Sequence, residues 1–167
     1  MRYVVLDTDV ASRAIKGQLG DPMAARLTGA AWCVTFVTVG ELWQWATTRS
    51  WGPRTRAQLE RWLGRVVVLH SDDGTSRAWG KISAAARRRG RPRPANDSWI
   101  AACCLAHQFA LATFNVKDFE DFAAHDGLQL TLGPAEGGQG LVPGGAQVRG
   151  GCGGFGSDRV GGVVVAR

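Results

Sequence analysis

No stretch of this 167-residue chain stays apolar for the ~18–20 residues that a membrane helix needs, so no helical span is expected. Only four apolar residues, Tyr3 to Leu6, precede Asp7, too few for the core of a secretory signal. The four cysteines, Cys33, Cys103, Cys104 and Cys152, show neither CxxC spacing nor an obvious pairing. Cys103 and Cys104 are adjacent in an expected helix, so reduced thiols in a cytoplasmic protein are the reading, and a disulfide scaffold or zinc site is not. His70, His107 and His125 fit no metal-ligand or triad pattern. No internal repeat is apparent. Acidic residues are the minority charge, 14 against 20 basic ones, and the net charge of +6 favours a polyanionic partner.

What is present begins with Tyr3-Val4-Val5-Leu6, a β-branched run that reads as a strand buried on both faces. It runs into Asp7-Thr8-Asp9, and carboxylates there would be costly if they were merely buried. In parallel α/β sheets the carboxyl ends of the strands are where ligands bind. Further strands are expected at 32–37, 66–70, 109–113 and 128–132. Helices are expected at 10–16, 23–27, from Thr38, at 55–63, 75–89, from Asp97, and at 117–124. Asp9 reads as the cap of the first helix and Gly17 as its stop. Strand and helix alternate throughout, which predicts an α/β fold with a parallel sheet covered by helices.

From Gly133 the composition changes: the last 35 residues hold 13 of the 23 glycines and none of the seven tryptophans. Such a segment cannot bury enough apolar area to offset ~1–2 kcal/mol of backbone ordering per residue. The expected organisation is therefore one folded domain over 1–132 and a Gly-rich, disordered tail over 133–167.

Arg87-Arg88-Arg89-Gly90-Arg91-Pro92-Arg93 concentrates five arginines in seven residues. It reads either as a solvated loop or as a phosphate-contacting one, because the guanidinium fork matches phosphate oxygens. Four carboxylates follow strands or open helices: Asp7, Glu41, Asp97 and Asp118. Singly, each has a structural explanation. Thr38-Val39-Gly40-Glu41 fits a capping box, and Asp97 and Asp118 fit first-turn acids favoured by the helix dipole. Together they would meet at one edge of a parallel sheet. A carboxylate pair about 4 Å apart costs ~1 kcal/mol in water and ~4 kcal/mol at an effective dielectric near 20. Either protons or a cation must relieve that repulsion. An all-oxygen set suits Mg²⁺ or Mn²⁺, and the arginines beside it suit a phosphodiester.

Four ordered segments carry a resemblance: Val5-Leu6-Asp7-Thr8-Asp9-Val10, Thr38-Val39-Gly40-Glu41-Leu42, Asn96 to Ala102, and Thr113 to Phe119. With them the chain resembles the PIN-domain ribonucleases, and among these the VapC-type toxins of toxin–antitoxin pairs. The resemblance spans residues 3 to about 132. It implies a five-stranded parallel sheet flanked by helices on both faces and metal-dependent endoribonuclease activity. It implies Asp7, Glu41, Asp97 and Asp118 as the acidic quartet, a cognate antitoxin that blocks the site, and a homodimer. On this reading Asp7, Asp97 and Asp118 hold Mg²⁺ (or Mn²⁺), and Glu41 binds metal or orients the attacking water. Thr8, Asp9, Ser98 and Asn115 could orient the carboxylates, and Arg87, Arg88, Arg89, Arg91 and Arg93 could hold RNA phosphates. The departures from the family pattern are the density of arginines and the Gly-rich tail.

Two rivals are distinct in kind. Leu6-Asp7-Thr8-Asp9-Val10 also matches the first motif of haloacid-dehalogenase-like phosphatases, with Asp7 as nucleophile and Asp9 as general acid. That fold expects a later acidic pair after a buried strand, whereas Asp97 follows Arg91-Pro92-Arg93-Pro94. A non-catalytic RNA-binding module would need only the basic loop, but an unneutralised carboxylate cluster opposes polyanion binding. The tryptophans at helical spacing read as core or partner interface, with Trp43, Trp45 and Trp51 as candidates to face an antitoxin.

Overall fold

The computed structural model describes residues 1–132. β1 (Arg2–Leu6), β2 (Ala30–Thr35), β3 (Val67–Leu69), β4 (Ala110–Thr113) and β5 (Leu130–Leu132) form one sheet in the order β3-β2-β1-β4-β5. Every neighbouring pair is parallel. β1 is therefore central, as its apolar run requires: Val4, Val5 and Leu6 are essentially fully buried. The chain first builds outward from β1 through β2 to β3, then crosses to β4 and β5 on the other side. The strand order reverses between β1 and β4, and at such a switch point a crevice opens beyond the strand ends.

Seven helices cover the sheet among the described residues: α1 (Thr8–Ile15), α2 (Asp21–Leu27), α3 (Phe36–Thr48), α4 (Pro53–Leu63), α5 (Asp73–Arg88), α6 (Ala95–His107) and α7 (Val116–Asp126). Successive side chains along a strand point to opposite faces, so β1 divides its apolar residues between two cores. Val5 packs with Cys33, Leu111, Ile82, Ile100, Phe119 and Phe122, under α5, α6 and α7. Val4 and Leu6 pack with Val34, Ala112, Val10, Met23, Leu42 and Leu59, under α1 to α4. This is the helix–sheet–helix sandwich that the alternation of elements predicts.

Several boundaries differ from the sequence reading, each for a local reason. α1 starts at Thr8 with Asp7 as its N-cap, so Asp9 lies in the first turn and is exposed. β2 ends at Thr35, whose hydroxyl accepts from the Thr38 amide at 3.1 Å. Phe36 and Val37 are thus helical, and the expected Thr38–Glu41 capping box does not form. β3 is shorter than the expected strand 66–70, because only Val67, Val68 and Leu69 have register partners on β2. Gly17, at φ +65°, follows the C-cap Lys16, a left-handed position that glycine adopts without strain. The Gly-rich segment from Gly133, with Cys152, lies outside the described residues.

Among the described residues no helix is long and apolar enough to cross a membrane. Cys33, Cys103 and Cys104 are buried free thiols, and burial pushes Cys33 up to about 11 and Cys103 up to about 12. Such thiols stay protonated and act as small apolar packing groups.

Candidate active site

Asp7 is the first residue past β1, and its amide still donates to Ala112 O of β4 at 2.9 Å. The central strand pair is thereby prolonged one residue into the switch-point crevice. The carboxylate is fastened from both sides: Oδ1 accepts from the Thr8 amide at 2.7 Å, and Oδ2 accepts from the Thr113 hydroxyl at 2.8 Å. Thr113 is fully buried, and its Oγ1 also accepts from the Asn115 amide at 2.9 Å. Despite these donors, burial pushes Asp7 up to about 6, with Asp9 and Asp97 adding like charge. A carboxylate that stays this costly after two hydrogen bonds calls for positive charge.

Glu41 reaches the same place from the second turn of α3. Thr8 Oγ1 donates to its Oε2 in a short hydrogen bond, and Asn96 Nδ2 donates to its Oε1 at 2.7 Å. One side chain from α1 and one from α6 therefore orient Glu41. Because Thr35 caps α3 in place of Thr38, Glu41 has no capping duty and is free to face the crevice.

Asp97 stands in the first turn of α6 and is half-buried. It is raised to about 6, chiefly by burial and then by the charges of Asp118 and Glu41, while Arg93 opposes them. Asp118 lies in the first turn of α7, and Asn115 Nδ2 donates to its Oδ2 in a short hydrogen bond. Asp97 thus feels Asp7, Glu41 and Asp118, and the four acids from four elements share one field.

The neighbouring residues divide. Thr8 and Asn115 orient Glu41 and Asp118, respectively. Ser98 does not touch an acid: it is buried, and its hydroxyl donates to Pro94 O at 2.8 Å, closing the first turn of α6. Asp9 faces solvent and contributes only charge. Thr113 and Asn96 had no orienting role in the sequence reading. Thr113 ends an apolar strand with a polar residue, and Asn96 directly precedes an acid; those are the signals available in the chain.

The arginines divide too. Arg89 Nη2 donates to Asp121 Oδ2 at 2.6 Å and to Asp126 Oδ2 at 3.0 Å, tying the end of α5 to α7. Burial alone would raise Asp121, but the hydrogen bond and charge of Arg89 hold it below the usual carboxylate range. Arg93 Nη2 donates to Lys117 O at 2.5 Å, beside Asp118. Both guanidinium groups are engaged with protein, whereas Arg87, Arg88 and Arg91 are exposed.

Among the described residues, no three His, Cys, Asp or Glu side chains are drawn together tightly enough to close around one ion. The donor set nonetheless fits a hard divalent cation. Its members are oxygen donors, two are raised by burial and by neighbouring carboxylates, and Mg²⁺ is commonly held by one or two carboxylates with water completing the octahedron.

The comparisons with known proteins bear on the fold and the family. The family model of the PIN domain matches residues 4–125. The chain belongs to the PIN-domain family. Within it, the chain is 34% identical over 91 residues to "Ribonuclease VapC4" of Mycobacterium tuberculosis, covering 53% of this chain and 69% of that relative. It is 29% identical over 124 residues to "tRNA(fMet)-specific endonuclease VapC" of Shigella flexneri, covering 72% and 92%. Among solved structures, VapBC-1 from nontypeable Haemophilus influenzae superposes with TM-score 0.64 at 25% identity, over 77% of this chain and 96% of that one. VapBC2 from Rickettsia felis, bound to a DNA fragment from its promoter, reaches TM-score 0.67 at 19% identity, over 78% and 98%, and shows the shared fold. PIN-domain ribonucleases of this group are divalent-metal-dependent hydrolases acting on RNA. The phosphatase reading falls with this assignment, and the Asp9 it needed as general acid is turned to solvent.

Proposed function

We propose that this PIN-domain protein is the endoribonuclease toxin of a toxin–antitoxin pair, with Asp7, Glu41, Asp97 and Asp118 as its catalytic acids. The observation that carries the reading is Asp7. It is locked across the β1–β4 switch point by Thr8 and Thr113, and it is held near pKa 6 opposite Asp97. Asp7, Asp97 and Asp118 would hold Mg²⁺ or Mn²⁺, which when bound would supply a lowered water pKa and stabilisation of the charge developing on the phosphate. Glu41 has both oxygens accepting, from Thr8 and Asn96, and keeps lone pairs with which to orient the attacking water. Arg87, Arg88 and Arg91 hold RNA phosphates around the crevice. Arg93 carries its charge up to Asp97, and Arg89 serves the scaffold.

The antitoxin partner is supported by the solved complexes that share the fold, several of which are VapBC pairs. Trp43, Trp45 and Trp51 are half-buried over the α1–α4 core and offer an amphipathic surface to such a partner. A homodimer and a cytoplasmic setting complete the reading; the buried free thiols agree with the latter.

Asp97→Ala tests the assignment. Purified free of its antitoxin and of contaminating nuclease, the variant should retain the wild-type circular dichroism spectrum. It should lose at least ~100-fold in Mg²⁺-dependent RNA cleavage, the scale of removing a charge-stabilising group from a catalytic centre. Wild-type cleavage by that variant would overturn the acid assignment.

A further inference from the structure

Three polar atoms that hydrogen bonding leaves unused belong to residues around a single crevice. Trp79 Nε1, Ser83 Oγ and Arg93 Nε are each buried without a partner. All three residues line one crevice of about 90 Å³ between α5 and the start of α6, which Arg87, Ala95 and Ser98 also line. Buried donors left unsatisfied cost free energy, so a cluster of them is expected to receive an acceptor.

The chemistry of the lining selects the acceptor. Indole N–H and guanidinium N–H can only donate, and the serine hydroxyl can donate as well. Ser98 has no proton to offer, since its hydroxyl is committed to Pro94 O. Two arginines add positive charge. A single water accepts about two hydrogen bonds and brings two protons that would themselves need acceptors. An oxyanion brings only acceptors. Trp79 is held for this task by stacking on Trp99 at 4.8 Å with an interplanar angle of 11°. Arg93 is held by its bond to Lys117 O. Arg93 links the crevice to the acids, since its charge opposes the rise of Asp97 and its Nη2 bonds the carbonyl next to Asp118.

We propose that Trp79, Ser83 and Arg93, with Arg87 at the rim, form a seat for a non-bridging phosphate oxygen of the RNA strand next to the bond that is cut. The proposal rests on the ribonuclease reading above and adds a subsite to it. It separates one buried phosphate, read by neutral and charged donors together, from the exposed arginines that act through charge alone.

The test is a titration of the ¹⁵N-labelled full chain in EDTA, so that binding is read without cleavage. One arm uses a 2′-O-methyl RNA tetranucleotide and the other inorganic phosphate. Trp79→Phe keeps the stacked ring and identifies the Trp79 indole N–H resonance by its loss. Binding of the tetranucleotide should shift that resonance saturably, and Ser83→Ala and Arg93→Lys should each weaken binding about three- to tenfold. In cleavage assays Ser83→Ala should raise KM with little change in kcat. A Trp79 resonance that stays in place while other amides respond to the RNA would overturn the subsite and spare the ribonuclease reading. A response to inorganic phosphate with none to the RNA would also overturn it. If no resonance responds to the RNA, the subsite and RNA binding fall together.

Discussion

At the scale of single residues, Asp7 shows how the site trades stability for chemistry. Its pKa in the folded protein is about 6, against an ordinary 3.8, chiefly because it is buried. Between those values the folded chain keeps a proton that the unfolded chain has released, so stability falls as pH rises through this window. Without metal, the cost above pH 6 is on the order of 2–3 kcal/mol. Asp7→Asn should remove that cost. In urea titrations with EDTA at pH 7.5 it should be at least as stable as the parent, with a flatter pH profile between 4 and 6.5, while cleavage is lost. A parent-like pH slope in the variant would show that Asp7 is not the titrating group. Thr113→Val probes the neighbouring link. It removes the hydroxyl that steadies Asp7 Oδ2 and should weaken Mn²⁺ binding ~10–100-fold, as losses of ligand-orienting groups do. Calorimetric titration with Mn²⁺ measures this, and unchanged affinity would release Thr113 from any role at the metal.

At the scale of elements, α7 is the piece that the arginine segment positions. Arg89 bonds Asp121 and Asp126 on it, and Arg93 bonds the carbonyl of Lys117 in its first turn, next to Asp118. Two arginines of a segment that reads as a solvated or phosphate-contacting loop thus clamp the helix that carries Asp118. Arg89→Ala removes the hydrogen-bonded partner of buried Asp121 and leaves only the weaker charges of His125 and Arg91 near it, which is destabilising. Its melting temperature should fall clearly below that of Arg88→Ala. RNA affinity should show the opposite order: Arg88→Ala and Arg91→Ala should each weaken binding and reduce the salt slope, log Kd against log salt, by ~0.7–1, whereas Arg89→Ala leaves the slope unchanged. Equal slopes for all three variants would defeat the division.

At the scale of the whole molecule, strand order is what makes four distant acids into one site. β1 and β4 are neighbours across the switch point, so Asp7 and Thr113 meet although more than a hundred residues separate them. The two cores on opposite faces then anchor α3, α6 and α7 with their first turns directed to that edge. A cation bound there should stabilise the entire fold. At ~100 times its dissociation constant the gain is about 2.7 kcal/mol. Mg²⁺ or Mn²⁺ should therefore raise the melting temperature of the parent chain and leave Asp97→Asn nearly unmoved. Equal shifts in both would place the metal elsewhere.

The sequence by itself determined the elements and the chemical type of the site. Apolar β-branched runs favour buried strands, alternation of strand and helix leads to a parallel sheet, and acids placed where strands end point to a cation. Those inferences need only neighbours along the chain. The tertiary structure decided which side chain serves which partner. It made Asp7 and not Asp9 the cap of α1, took Thr38 out of a capping box with Glu41, recruited Thr113 and Asn96, and turned Arg89 and Arg93 from the solvent to α7. Each of these outcomes depends on sheet order and helix placement across tens of residues, and local composition carries no record of that. Tyr3 to Leu6 is legible in either direction. The hold on the carboxylate that follows it becomes visible only when β4 lies alongside.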